Sequence, residues 1–226
     1  MTGRQVVALA RPLRSAIRWQ PGVAAWVLVA LLLVLKDEAL EDPGSALLLL
    51  RGVGVVAVLG AAFVLDDEAA TTIEASPSTL AWRRGLRVVT ATVLVAVPWT
   101  GAWWWLEAHG TDAPWAGLTL ELAALLALAL CTAAAVTRWS GATDPGVATS
   151  PAVFVVVLGA FQLPPRFALY GFPGPGWDAA HARWWGLLVA ATLLLFFCGR
   201  DPAARHGRLG ACACMWSSWR TATRSR

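Results

Sequence analysis

The chain has 226 residues, a formal net charge of +4 and a pI near 9.3; 58% of its residues are apolar, only 14% are charged, and the mean hydropathy is +0.60. A water-soluble domain does not carry that balance, so the sequence reads as an all-α membrane protein. The basic surplus does not point to nucleic acid, because the arginines stand at the edges of apolar runs rather than along one soluble face.

Residues 1–20 come first. At 100° per residue Arg4, Arg11, Arg14 and Arg18 fall within about 80° of one another, with Val6, Leu9, Leu13 and Ile17 opposite, as expected of an amphipathic interfacial helix. A solvated basic leader with chance periodicity is the alternative. Six apolar runs follow, at about 21–35, 46–65, 88–106, 115–137, 149–163 and 183–199, and predict six transmembrane helices between residues 21 and 199. At 1.5 Å per residue the second, third and fourth reach about 30 Å, whereas the first and fifth reach about 22 Å and need flanking residues to cross. The first run is a span rather than a signal peptide, since Trp26 and bulky Leu and Val residues lead directly into Lys36-Asp37-Glu38 without a small-residue cleavage site.

Charge fixes an orientation for these runs. Fourteen arginines lie in the N-terminal segment, the 66–87 loop, the 138–148 loop and the basic tail 200–226, against Lys36, Arg166 and Arg183 in the alternate loops. The positive-inside rule places both termini in the cytoplasm of a cell membrane, and the six-arginine tail requires every run to cross. Trp103, Trp104, Trp105, Trp115, Trp177, Trp184 and Trp185 gather near the outer boundary and Trp19, Trp82 and Trp139 near the inner one, as interfacial belts do. The preference for Arg over Lys, with abundant Ala, is the codon signature of a high-GC bacterial genome.

The cytoplasmic stretch DDEAATTIEASPSTLAWRRGLRV, 66–88, carries acids first and bases last. Asp66, Asp67, Glu68 and Glu74 precede Arg83, Arg84 and Arg87, and carboxylates in a first turn complement a helix dipole; Ser76 or Ser78 offers a cap with Pro77 as a break, and a second helix from about Ser78 would run through Trp82, Arg83 and Arg84 into the third span. Between the fifth and sixth runs, Pro164-Pro165 must end a helix and Phe172-Pro173-Gly174-Pro175-Gly176 makes a turn. Two readings stand for 164–182: an extracellular re-entrant or interfacial hairpin, and an ordinary aromatic-rich loop.

Two charges lie inside the runs. Arg51 and Glu121 are about 8 and 9 Å below the outer starts of the second and fourth spans, so their depths match and they are expected to pair or to line the outer part of a pathway; Arg51 snorkelling outward, with Glu121 protonated or facing headgroups, is the bland alternative. Pro98 should kink the third span, and Ala57, Gly60 and Ala61 give the second a small-residue face suited to close helix contact, for instance between two copies. Other chemistry lacks its residues. The single lysine, Lys36, precedes Asp37, so a Gly-Lys-Ser/Thr P-loop is absent; His109, His181 and His206 all lie outside the apolar runs, leaving neither paired haem ligands nor an HExxH site; and Cys131, Cys198, Cys212 and Cys214 form no disulfide framework. Glu121 has no His, Cys or Asp beside it by sequence, which argues against an intramembrane enzyme.

The order acidic residues, Thr-Thr-Ile-Glu74, Ala-Ser76-Pro77-Ser, then Arg83 and Arg84 entering a third span, resembles the loop between spans two and three of six-span ABC-type exporter permeases, the drug, polysaccharide and ABCG-like kind. It differs at Thr71, where glycine is common there, and in its Asp66-Asp67 start. The resemblance implies that 66–87 is a coupling helix docking on an ATPase through Glu74, Ser76, Pro77, Arg83 and Arg84, that 1–20 is a connecting helix, and that the chain works with a second permease copy or a related permease. It implies export of a hydrophobic or amphiphilic substrate and no enzyme activity of this chain's own, with ATP and Mg on a separate ATPase subunit and no cofactor here. A membrane scaffold or assembly subunit docking a cytoplasmic partner through the same loop is the second reading.

Overall fold

The computed structural model describes residues 19–35, 43–66, 80–140, 142 and 144–199; the N-terminal amphipathic segment, most of the 66–87 loop and the tail 200–226 lie outside them. The described residues form six α-helices and no strand: α1 (Gln20–Leu35), α2 (Pro43–Ala62), α3 (Leu80–Ala108), α4 (Trp115–Ser140), α5 (Pro145–Phe161) and α6 (Trp177–Gly199). Short 3-10 turns at Phe63–Leu65 and Pro165–Phe167 follow α2 and α5. Each helix coincides with one apolar run. α2, α3, α4 and α6 are long and apolar enough to cross a membrane, while α1 and α5, at 16 and 17 residues, are shorter apolar helices.

Helix α2 lies at the centre, packed against α1, α3, α4 and α5, and α4 forms the second axis with α5 and α6 on it. The apolar window of α2 is 61% buried and that of α6 only 17%, so α6 is a peripheral helix held chiefly by α4. Leu47, Leu50, Val53, Ala57 and Ala61, spaced three or four apart, form with Val58 the buried face of α2 against Val95 and Trp99 of α3 and Leu118, Leu122 and Leu125 of α4.

The small-residue face of α2 is used inside the chain. A methyl group on Gly60 would sit 2.5 Å from Ala25 Cβ and 3.1 Å from the Pro21 carbonyl, so α1 packs there at backbone distance. That occupies the face which the sequence offered to a second copy. Pro98 leaves α3 helical, but it has no N–H and so frees the carbonyl four residues earlier, that of Leu94. The indole Nε1 of Trp26 on α1 donates to that oxygen at 2.9 Å. The proline gap in one helix is thus the docking point of another.

Asp66 also departs from its expected role. Instead of opening a helix in the 66–88 stretch, it is fully buried, and its Oδ1 accepts the Gly146 N–H at 2.7 Å, at the start of α5. A carboxylate there satisfies an orphan donor and faces the positive end of the helix dipole. Gly146 is needed for the approach, because a Cβ would lie 2.8 Å from Phe63 Cα and 3.0 Å from that same carboxylate oxygen.

Two helices begin ahead of their apolar runs, and α3 does so within two residues of the start expected near Ser78. α3 starts at Leu80, so the backbone at Arg83 and Arg84 is already helical and continuous with the following span. α6 starts at Trp177 rather than 183, with Asp178 in its first turn and the positive-φ Gly176 delivering the chain into it. Residues 162–176, between α5 and α6, contain the single 3-10 turn and no α-helix, so no helical hairpin stands there.

Candidate functional site

A charged cluster sits where the N-terminal ends of α2, α4 and α6 meet the loop that leaves α5. Counting 1.5 Å per residue, Arg51 is about 12 Å from the start of α2, Glu121 about 9 Å from the start of α4, and His181 about 6 Å from the start of α6. Arg51 Nε donates to Glu121 Oε2 and Arg51 Nη2 to Glu121 Oε1, both at 2.8 Å, a bidentate fork between α2 and α4. Both residues are buried, 7% and 2% exposed, so neither charge is left to water. The snorkelling alternative does not match this arrangement.

The same guanidinium holds the loop. Arg51 Nη2 also donates to the Gly171 carbonyl at 2.8 Å, and its Cζ lies 5.0 Å from the centroid of the Tyr170 ring. Tyr170 stacks on Phe161, ring centroids 4.3 Å apart, and leans on Trp184. Arg183 donates to the carbonyls of Ala168 and Arg166, and Trp184 Nε1 to that of Leu169. The loop backbone is therefore fastened by side chains of α2 and α6, which replace the hydrogen bonds an irregular segment cannot make to itself. Burial first, then the Glu121 carboxylate, push the Tyr170 phenol above its ordinary range, with Arg51 pulling the other way; the phenol is a neutral O–H throughout the physiological range.

Beside the pair is a cavity lined by Leu50, Gly54, Trp99, Leu118, Leu122, Leu125 and Tyr170, with Arg51 and Glu121 in its wall. It offers about 10 Å³ to the centre of a water-sized sphere, room for one water and not for an organic substrate. Trp99 Nε1 donates to Thr119 Oγ1 at 3.3 Å close by.

His181 joins the cluster without notice from the sequence. It is 8% exposed, its Nδ1 lies 2.8 Å from the Trp177 carbonyl and its Nε2 3.5 Å from Glu121 Oε1. Reading it as outside the apolar runs, and Glu121 as having no histidine near it, is corrected here: α6 starts six residues before its apolar run and turns His181 inward. The only signal in the sequence is the spacing of Trp177, His181 and Trp184 on one helical face. Gly117 makes the room, since a Cβ there would come within 2.5 Å of His181 Nε2 and 2.7 Å of Trp177.

Among the expected coupling residues, Glu74, Ser76 and Pro77 lie outside the described residues, and Arg83 and Arg84 are the fourth and fifth residues of α3. Among the described residues no group of three or more His, Cys, Asp or Glu side chains could hold a metal ion. No protein family, curated protein or solved structure matches the chain.

Proposed function

We propose that the chain is the transmembrane permease subunit of an ATP-binding-cassette exporter, with six membrane spans and both termini cytoplasmic, moving a hydrophobic or amphiphilic substrate and powered by a separate ATPase subunit. The observation that carries the reading is the continuity of α3: one helix runs from Leu80, ahead of Arg83 and Arg84, to Ala108, so the basic end of the segment resembling an exporter coupling loop belongs to the same 29-residue helix as the following span. Displacement of that segment by an ATPase would act directly on α3. Asp66, which begins the same segment, is fastened to α5, giving the loop a second mechanical connection. The distribution of arginine and the apolar surfaces of all six helices support the six-span arrangement.

Affinity purification of the tagged chain from its own cells in mild detergent, with co-purifying chains identified by mass, tests this. A P-loop ATPase recovered with the wild type and lost or reduced with Glu74→Ala or Arg83→Ala is the expected result. The cavity beside the buried charges has room for one water among the described residues, and that size favours a second reading, a membrane scaffold. Recovery of other membrane chains and no ATPase would select the scaffold.

A further inference from the structure

The contact between His181 and Glu121 poses a question of proton count. The Trp177 carbonyl can only accept, so at 2.8 Å the His181 Nδ1 must carry a hydrogen. In a neutral ring Nε2 is then a bare lone pair, and it faces Glu121 Oε1 at 3.5 Å, acceptor against acceptor. Nε2 is buried and has no hydrogen-bond partner among the described residues. His181 is 8% exposed, and Gly117, without a Cβ, lets the ring press directly on α4.

We propose that His181 and Glu121 form a proton-binding site, in which a proton on Nε2 converts this opposed pair into a charge-assisted N–H···O contact and thereby fastens α6 to α4. Arg51 donates one hydrogen bond to each oxygen of the Glu121 carboxylate, so on the carboxylate side of the contact donors are already in place, and Nε2 is the atom left without one. The charged group facing the ring is Glu121 from α4; around Glu121 stand Arg51 from α2 and Tyr170 from the α5–α6 loop, whose phenol remains neutral. On α6 itself Asp178 is exposed and Arg183 is engaged with the carbonyls of Ala168 and Arg166. Because α4 is the principal helix holding α6, loss of the proton weakens the main attachment of α6 at this end of the bundle. The site is a proton-operated fastening between α6 and the rest of the bundle, whichever partner the chain serves.

The test is solid-state NMR of the full chain in lipid bilayers with isotope-labelled histidine and glycine, taken from pH 5 to pH 10, His181 being assigned by its absence from His181→Gln. The expected result is a ring protonated on both nitrogens and in through-space contact with Gly117 at the acid end. As pH rises the Nδ1–H tautomer should appear, and the Gly117 contact should weaken over the same range. A neutral ring in the Nε2–H form overturns the proposal, as does a Gly117 contact that does not change with pH. Thermal unfolding of the same samples gives the second reading: the wild type loses melting temperature on the alkaline side, and His181→Gln, whose amide N–H donates to Glu121 at every pH, loses that pH-dependent part. An equal alkaline loss in both chains also overturns it.

Discussion

Arg51 and Glu121 are each the other's counter-charge, so removing one strands the other in an apolar bundle. Arg51→Ala and Glu121→Ala are each expected to destabilise the protein by roughly 3–5 kcal/mol, whereas Arg51→Leu with Glu121→Leu together should cost much less than the sum. Thermal unfolding of the single and double variants in detergent measures this, and additive losses would deny the pairing. Tyr170→Phe removes no ionised group, so its effect on stability should be the same at pH 6 and pH 9. The pair was legible in the sequence because two charges stand out in apolar runs and their depths agree. His181 was not, because it lies in a polar stretch where hydropathy assigns no helix, and its inward direction depends on where α6 begins. Asp66 was misread for a related reason: its partner, the Gly146 N–H, is 80 residues away and carries no side-chain signature.

Among elements, the attachment of α1 depends on two local features, the close approach at Gly60 and the proline gap of α3. Trp26→Phe keeps the ring and deletes the donor to Leu94, and is expected to cost about 1 kcal/mol, read as a lower melting temperature. Gly60→Val must push α1 off α2, since even one added carbon meets Ala25 at 2.5 Å, and a loss of about 1–3 kcal/mol is expected. Helix positions were legible because long apolar runs are the most reliable signal a sequence carries, and the entry of α3 through Arg83 and Arg84 was legible from the Ser-Pro-Ser break before it; the start of α6 was not, because Asp178 and His181 lie in a stretch that hydropathy assigns to a loop. The small-residue face of α2 was also legible, but which helix covers it depends on the order in which helices pack, and periodicity does not encode that order.

For the molecule as a whole, exposed apolar side chains such as Val27 and Leu31 on α1, Val155 and Leu158 on α5, and Leu193 and Phe196 on α6 make an outer surface that water would not tolerate and acyl chains would. The proposed six-span arrangement predicts which loops face outward. In a chain whose own cysteines have been replaced, a membrane-impermeant thiol reagent added to intact cells should label Thr111→Cys and Gly174→Cys, and should label Gly85→Cys only after the membrane is opened. Labelling of Gly85→Cys in intact cells would invert or break the topology. The most direct measurement on the permease account is ATP hydrolysis by the purified complex in lipid, compared with complexes carrying Glu74→Ala and Arg83→Ala. The account predicts turnover in the wild type and a marked loss in both variants, with this chain still folded and in the membrane. Wild-type complex without ATPase activity, or turnover indifferent to both substitutions, would contradict it.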